Sequence, residues 1–305
     1  MKADVPALDV PIPNIGKRWL LFGSWIALSS LIFSHAIIAF VRISFSDPDA
    51  SYLVLIPFIS AWAMFMERRK VFRQLSHDKV IGGGFFLLAC VSALVSHSAG
   101  GHASFDLQLS GYILSIVLFW IAGFILLFGK VASKAACFSL LFLLLMIPLP
   151  ELLQGRVIHL LQEGSAWITG ALFDLFGVPA LREGFVFHLP SANIEIAKEC
   201  SGIRSSMALL ILALLVAHFR LKSFWKKAIF LALGIFMTIL KNGIRIATLT
   251  LLAIYVDPEF LTGRLHHQGG IVFFVLSLFL LWPVLLLLER GQSENSQAPE
   301  STPAF

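Results

Sequence analysis

The sequence predicts an all-α integral membrane protein with about eight transmembrane helices. Its residues are 58% hydrophobic and only 13% charged, and its mean hydropathy is +0.86. The apolar residues are gathered in eight segments, most of them near the roughly 20 residues that cross about 30 Å of hydrocarbon. This composition excludes an ordinary soluble domain. The net charge of +5 is a topology signal in such a chain, and nucleic-acid binding would need a basic soluble domain that the sequence lacks.

The eight apolar segments are bounded by charged residues, Pro, Gly or polar clusters, and each predicts one membrane-spanning helix. They lie at 19–41, 51–66, 81–98, 109–129, 135–150, 202–219, 228–256 and 270–288. The second and fifth segments are short. The fifth ends at Pro148 and Pro150, because proline cannot continue a helix.

The region between the fifth and sixth spans is too polar to cross a membrane. Residues 152–176 predict an amphipathic helix lying along the membrane interface. Its expected apolar side has Leu153, Ile158, Leu161, Ile168 and Phe173, and its expected polar side has Gln154, Arg156, Gln162, Glu163 and Asp174. The following stretch, "GFVFHLPSANIEIA", alternates in polarity around Pro190 and predicts a short β-hairpin before the sixth span.

The distribution of Lys and Arg sets the expected orientation, because these residues collect in cytoplasmic loops. The basic loops precede the first span and follow the second, fourth and sixth spans. Both termini are therefore expected inside, and the region 151–200 faces outward. Residues 1–18 form a cytoplasmic segment without a signal-peptide cleavage site, 19–290 a polytopic domain, and 291–305 a disordered cytoplasmic tail.

With this topology, three separate segments bring reactive side chains to the outer face. Cys200 lies at the outer end of the sixth span. Arg245 lies inside the seventh span, roughly 26 Å above the inner surface at 1.5 Å per residue. His266 and His267 lie in the outer loop before the eighth span. The sequence thus predicts a thiol, a guanidinium and an imidazole on one side of the membrane.

Each of these groups also has a structural interpretation. A membrane cysteine is usually a packing residue, as Cys90 and Cys137 are expected to be. Cys200 differs because a helix N-terminus and Arg204, four residues later, favour the reactive thiolate. Arg245 could instead anchor its helix by pairing with a carbonyl, Asp174 or Glu199. The histidines have no metal-ligand spacing around them, so neither a metal nor a cofactor is expected.

Three motifs carry a resemblance to a known family. "ECSGIRSS", "KNGIRIATL" and "HHQGGIVFF", in this order at the outer ends of the last three spans, resemble the exosortase/archaeosortase family of membrane cysteine transpeptidases. The family's catalytic Cys, Arg and His fall on Cys200, Arg245 and His266, since the family histidine precedes a glycine-hydrophobic pair by four positions. His267 duplicates that histidine and is the alternative.

The resemblance implies an enzyme of the bacterial inner membrane, with its active site facing the periplasm, in bacteria that make exopolysaccharide. Its partners would be membrane lipid and exported proteins with a C-terminal sorting signal, which consists of a short Pro-containing motif, a transmembrane helix and a basic cluster. The acyl acceptor is unknown. A membrane transporter and a lipid-linked glycan transferase are the alternatives, although a transporter should have internal repeats with polar groups at midplane, and a transferase would not require a thiol.

The chemistry of acyl transfer gives the remaining residues their expected roles. Cys200 would attack the scissile carbonyl, His266 would protonate the leaving amine, and Arg245 would stabilise the oxyanion or the thiolate. Glu195 and Glu199 are the nearest carboxylates for orienting the histidine or pairing with Arg204. Two further supporting candidates are Asn242, one turn from Arg245, and Ser201, next to the thiol.

Overall fold

The computed structural model describes residues 15–99, 104–190, 193–198, 202–261 and 270–293. The chain divides into two compact units, residues 1–150 and 151–305. In the described part, six helices are long and apolar enough to cross a membrane, or up to eight if two bent helix pairs each count as one span. The prediction of an all-α integral membrane protein is confirmed.

The first unit is helical throughout its described part. Its α-helices are α1 Ile15–Ile32, α2 Ser34–Ser46, α3 Ile56–Met66, α4 Arg68–Val71, α5 Lys79–Ser98, α6 Phe105–Ala135 and α7 Cys137–Phe142, with 3-10 turns at Pro48–Ala50, Leu53–Leu55 and Leu143–Met146. The second and third predicted spans correspond to Pro48–Met66 and Lys79–Ser98. The fourth corresponds to α6, which contains a break at Gly129 (φ 85°), where the predicted span ends.

Two predicted spans in the first unit need correction. The first is not one straight helix, because α1 and α2 are bent by 84° at Phe33. No proline or glycine lies at this break, so the sequence has no local signal that predicts it. The fifth is only α7 and the 3-10 turn up to Met146, too short to cross alone, because the chain turns at Ala136 and again before Pro148.

Helix α6 forms the core of the first unit, with 61% of its most apolar stretch buried. Phe124 and Phe128 stack with ring centroids 4.7 Å apart, and Trp19 of α1 lies 5.2 Å from Phe128. Gly129 lets the loop after α4 approach, since a Cβ there would lie 2.1 Å from the Ser76 hydroxyl. Aromatic packing between α1 and α6, together with the close approach of Ser76 to Gly129, thus holds these parts of the first unit together.

The second unit contains four long helices and a small sheet in its described part. These elements are α8 Glu151–Leu175, β1 Leu181–Glu183, β2 Val186–His188, β3 Asn193–Glu195, α9 Ile203–Arg220, α10 Phe224–Tyr255 and α11 Gly270–Ser293, with a 3-10 turn at Pro258–Leu261. Helices α9, α10 and α11 confirm the predicted sixth, seventh and eighth spans.

The sheet between α8 and α9 is larger than the predicted hairpin. Strands β2 and β3 form that hairpin, pairing Val186 with Glu195 and His188 with Asn193. A further strand, β1, pairs antiparallel with β2 and begins at Leu181 opposite His188. Sequence analysis missed β1 because its three residues are too few to establish an alternating pattern.

Helix α8 exists as predicted, and most of its residues lie on the expected sides. Leu161 and Phe173 of the apolar side are buried, and the polar side has exposed residues at Arg156, Glu163 and Asp174. The exceptions are Gln162, which is only 6% exposed, and Leu153, which is 52% exposed. Ser165 and Thr169 are fully buried and face α10, where the Thr169 hydroxyl donates to the Gly243 carbonyl at 3.3 Å, a polar contact of the kind that joins helices in membranes.

The contact between α8 and α10 requires glycine at position 243. A Cβ there would lie 2.5 Å from both Cβ and Cγ2 of Ile168 and 3.2 Å from the Ser165 carbonyl oxygen. We expect Gly243→Ala to lower the stability of the protein by about 1–3 kcal/mol, the usual cost of overpacking. The measurement is thermal melting of the purified protein in detergent.

Gly155→Ala is the matched control, because Gly155 also lies in a helix of this contact but a Cβ there would meet nothing within 4 Å. Its melting temperature should stay the same or rise slightly, as alanine favours a helix. Equal melting temperatures for the two variants would contradict the close approach of α8 and α10.

Candidate active site

The predicted site residues are divided between described and undescribed parts of the chain. Glu199, Cys200, Ser201, His266 and His267 lie outside the described residues. Glu195, Arg204, Asn242 and Arg245 are described, as are the stretches 193–198 and 202–261 that precede and follow Cys200 in the chain. The structure therefore shows how the backbone is held shortly before and shortly after the cysteine.

The N-terminal anchor of this segment is Ile196, whose side chain is 1% exposed. Its backbone N–H donates to the Phe185 carbonyl at 2.9 Å, which extends the pairing of the sheet. Its carbonyl accepts a 2.7 Å hydrogen bond from Nε2 of Gln162 on α8. A buried side-chain amide thus fixes the backbone four residues before Cys200.

The C-terminal anchor is Gly202, which has a left-handed conformation (φ 72°, ψ 21°) and caps α9. Its carbonyl accepts from the Ser206 backbone N–H at 2.9 Å and from the hydroxyls of Ser205 at 3.0 Å and Ser206 at 2.9 Å. Glycine suits this conformation because a Cβ would be strained there. The backbone two residues after Cys200 is therefore fixed as well.

Asn242 of α10 contacts this second anchor. A Cβ at Gly202 would lie 3.0 Å from Oδ1 of Asn242, and the Nδ2 group of Asn242 donates to the Ser165 hydroxyl on α8 at 3.0 Å. Asn242 is 2% exposed. It joins α8, α10 and the start of α9 at the point where the Cys200 segment ends.

Arg245 follows Asn242 by three residues, so the two side chains lie on neighbouring parts of one helical face. Arg245 is half-buried, and its Nε atom is buried. The next two residues, Ile246 and Ala247, belong to an apolar cluster with Phe173 and Phe187. A guanidinium in such surroundings is positioned by the fold rather than left in solvent.

Two proposed ion pairs are not present among the described residues. Asp174 is exposed and makes no ion pair with Arg245, so the corresponding anchoring hypothesis is wrong. Glu195 and Arg204 are both exposed and do not pair with each other. The hypotheses that involve Glu199 fall outside the described residues.

Sequence analysis missed two residues of this region. Gln162 was assigned to the exposed side of α8, although its amide binds the Ile196 carbonyl. Lys241 was not selected as a site residue, but it is 4% exposed and its Nζ donates to the Ser205 hydroxyl. The available signal was the rarity of ionisable and amide side chains in otherwise apolar helices.

The charged groups of the sheet lie together near the N-terminal half of α8. His188 contacts Glu183 across β1 and β2, with Nε2 and Oε2 3.4 Å apart, and Arg182 lies 4.0 Å from Glu163. Among the described residues, no group of three or more His, Cys, Asp and Glu side chains could hold a metal ion. Ion pairs at an exposed surface contribute little to stability, so the His188–Glu183 and Arg182–Glu163 contacts stabilise the sheet only weakly.

Comparison with known proteins identifies the family. Residues 43–283 match the model of the transmembrane exosortases (Exosortase_EpsH), a stretch that includes Cys200, Arg245 and His266. No curated protein matches the chain, and no solved structure matches it. Because the family model covers well over half of the sequence, this multi-pass membrane protein belongs to the transmembrane exosortase family, whose members are in general membrane-embedded sorting transpeptidases.

Proposed function

We propose that this protein is a cysteine peptidase and transpeptidase that cleaves the C-terminal sorting signals of exported proteins at the outer face of the inner membrane. The nucleophile is Cys200, and Arg245 and His266 complete the catalytic group, with His267 as the alternative histidine. The enzyme needs no metal or cofactor in this mechanism, because thiolate, guanidinium and imidazole supply the nucleophile, the anion-stabilising group and the proton carrier.

The reaction proceeds through a thioester. The Cys200 thiolate attacks the scissile carbonyl carbon, and the resulting oxyanion is stabilised by Arg245. The C–N bond breaks as His266 gives a proton to the leaving amine. An acceptor amine or water then attacks the thioester carbonyl, gives its proton to the histidine and releases the thiolate.

The observation that best supports this proposal is the contact between Gly202 and Asn242. Gly202 lies two residues after Cys200, and Asn242 lies one helical turn before Arg245. The closeness of Gly202 to Asn242 supports a site in which Cys200 and Arg245 act together. If Arg245 only anchored α10, no cysteine would be needed in the chain two residues before Gly202, the residue that contacts Asn242.

The proposed partners follow from family membership rather than from the geometry. They are exported proteins that end in a Pro-containing motif, a transmembrane helix and a basic cluster, and they would be held in the surrounding lipid. Both termini of the enzyme would be cytoplasmic and Cys200 would face the periplasm, in agreement with the basic loops at Arg68–Val71 and after α9.

The direct test is capture of the thioester. The enzyme in a Cys90→Ala, Cys137→Ala background is co-expressed with a tagged exported protein that carries such a signal, purified at low pH and digested for mass spectrometry. We expect the substrate's new C-terminal residue to be attached to Cys200 and to be released by hydroxylamine. Efficient cleavage without any adduct on Cys200, even when release is slowed by removing amine acceptors, would contradict the proposal.

A further inference from the structure

Lys241 is a charged residue deep within α10, and its side chain is 4% exposed. A Lys in the middle of a membrane helix is costly, because its charge must leave water. No ion pair of Lys241 is found among the described residues. Such a cation requires a compensating contact, and buried ionisable residues of this kind often have a function.

The positive charge of Lys241 is compensated by a hydrogen bond to α9, the helix that follows Cys200 in the chain. Its Nζ donates a hydrogen bond to Oγ of Ser205, in the first turn of α9. The Ser205 hydroxyl in turn donates to the carbonyl of Gly202 at 3.0 Å. A continuous chain of hydrogen bonds thus runs from the ammonium group of α10 to the backbone two residues after the cysteine.

The surroundings of Lys241 have a consistent electrostatic character. Arg245 lies four residues later on the same face of α10, so two positive charges are neighbours. The described polar groups that α8 and α9 place in this region include the neutral side chains of Ser165, Thr169, Ser205 and Ser206. Placing like charges together costs stability, which favours a functional reason for keeping both.

We propose that Lys241 is a positioning residue of the active site, which acts through Ser205 to fix the Gly202 carbonyl, two residues after Cys200. This inference rests on the function proposed above. Because the ammonium polarises the Ser205 hydroxyl, the bond from Ser205 to Gly202 is stronger than one between neutral groups alone.

The test compares Lys241→Met, Lys241→Arg and Ser205→Ala in the Cys90→Ala, Cys137→Ala background. The first measurement is the rate at which a small uncharged reagent alkylates Cys200 in the purified protein, and the second is kcat and KM for cleavage. We expect Lys241→Met to slow alkylation and to lower kcat by about tenfold to a hundredfold, the range for losing a hydrogen bond to a charged group, with little change in KM. Lys241→Arg should restore most of both rates.

Ser205→Ala should reproduce these losses, and adding it to Lys241→Met should cause little further loss, because residues acting in one chain are not additive. Thr238→Val is the matched control. Thr238 is equally buried one turn earlier on α10, but its hydroxyl donates within its own helix, to the Ile235 carbonyl at 2.7 Å. This variant should retain both rates.

The outcomes separate this inference from the proposed function. Normal alkylation and normal kcat in Ser205→Ala or Lys241→Met would overturn the role of Lys241 and leave the Cys200 mechanism standing. If Lys241→Met does not accumulate, the conservative Ser205→Ala decides the matter alone. Conversely, normal cleavage by Cys200→Ser would refute the mechanism. The rate of Cys200 alkylation in the Lys241 and Ser205 variants needs no substrate, so it would still report whether Lys241 acts on the Cys200 segment.

Discussion

Replacement of Cys200 by serine should abolish cleavage of the sorting signal while the enzyme remains in the membrane at its normal abundance. A serine hydroxyl is a weaker nucleophile than a thiolate, because it stays protonated at neutral pH whereas a thiol ionises readily beside positive charge. We expect the rate to fall by about a thousandfold or more, as for other nucleophile substitutions. The measurement is accumulation of full-length tagged substrate in cells, followed over time by immunoblotting.

The control for this variant is the double substitution Cys90→Ala, Cys137→Ala. Cys90 is half-buried in α5 and Cys137 is exposed at the start of α7, both in the first unit. Neither has a role in the proposed chemistry, so the double variant should process the substrate at a nearly normal rate. Normal processing by Cys200→Ser, or loss of processing in the control, would refute Cys200 as the nucleophile.

Sequence alone predicted the helices whose ends are set by strong local signals. Helix α9 ends near Arg220, and the apolar run of α10 is long enough to be identified without any structural information. The break between α1 and α2 could not be predicted, because neither proline nor glycine lies at Phe33 to signal it. The length and composition of a segment thus predict that it is a helix, but not where it bends.

The prediction for α8 failed at single residues and not for the helix as a whole. The amphipathic pattern places Gln162 on the polar side, and Arg156, Glu163 and Asp174 of that side are exposed as expected. Gln162 is instead buried, because its amide binds the Ile196 carbonyl. Helical spacing thus predicts the polar side, but not which polar residue has a tertiary hydrogen-bond partner.

For the candidate site, too, the sequence predicted some of the residues but not the contacts that they make. Asn242 and Arg245 could be selected from sequence because polar residues are rare in membrane helices. The link from Lys241 through Ser205 to Gly202 could not, since it joins residues 36 positions apart that only the packing of α9 on α10 brings together. The rarity of polar residues in membrane helices identifies the candidate residues, whereas their hydrogen-bond partners are known only from the tertiary structure.

The second large effect is expected at Arg245, whose structural and catalytic interpretations differ under substitution by lysine. Lysine keeps the positive charge but loses the planar arrangement of five donors. If Arg245 only anchors α10 by its charge, Arg245→Lys should be tolerated. If it directs donors at the oxyanion or the thiolate, cleavage should slow by about a hundredfold or more, which corresponds to about 2.7–4 kcal/mol of transition-state stabilisation.

The experiment is a pulse-chase measurement of substrate cleavage by Arg245→Lys, with enzyme abundance and melting in detergent measured in parallel. Arg220→Lys is the matched control, because Arg220 binds Glu289 of α11 through Nε at 2.6 Å and NH2 at 3.0 Å, at the opposite end of α9 from Cys200. An exposed ion pair of this kind contributes little to stability, so the control should cleave at a nearly normal rate. Slow cleavage by a stable Arg245→Lys protein assigns Arg245 to catalysis. Near-normal cleavage, or a loss that matches the loss of folded protein, would leave Arg245 as a structural anchor and reduce the catalytic group to Cys200 and His266.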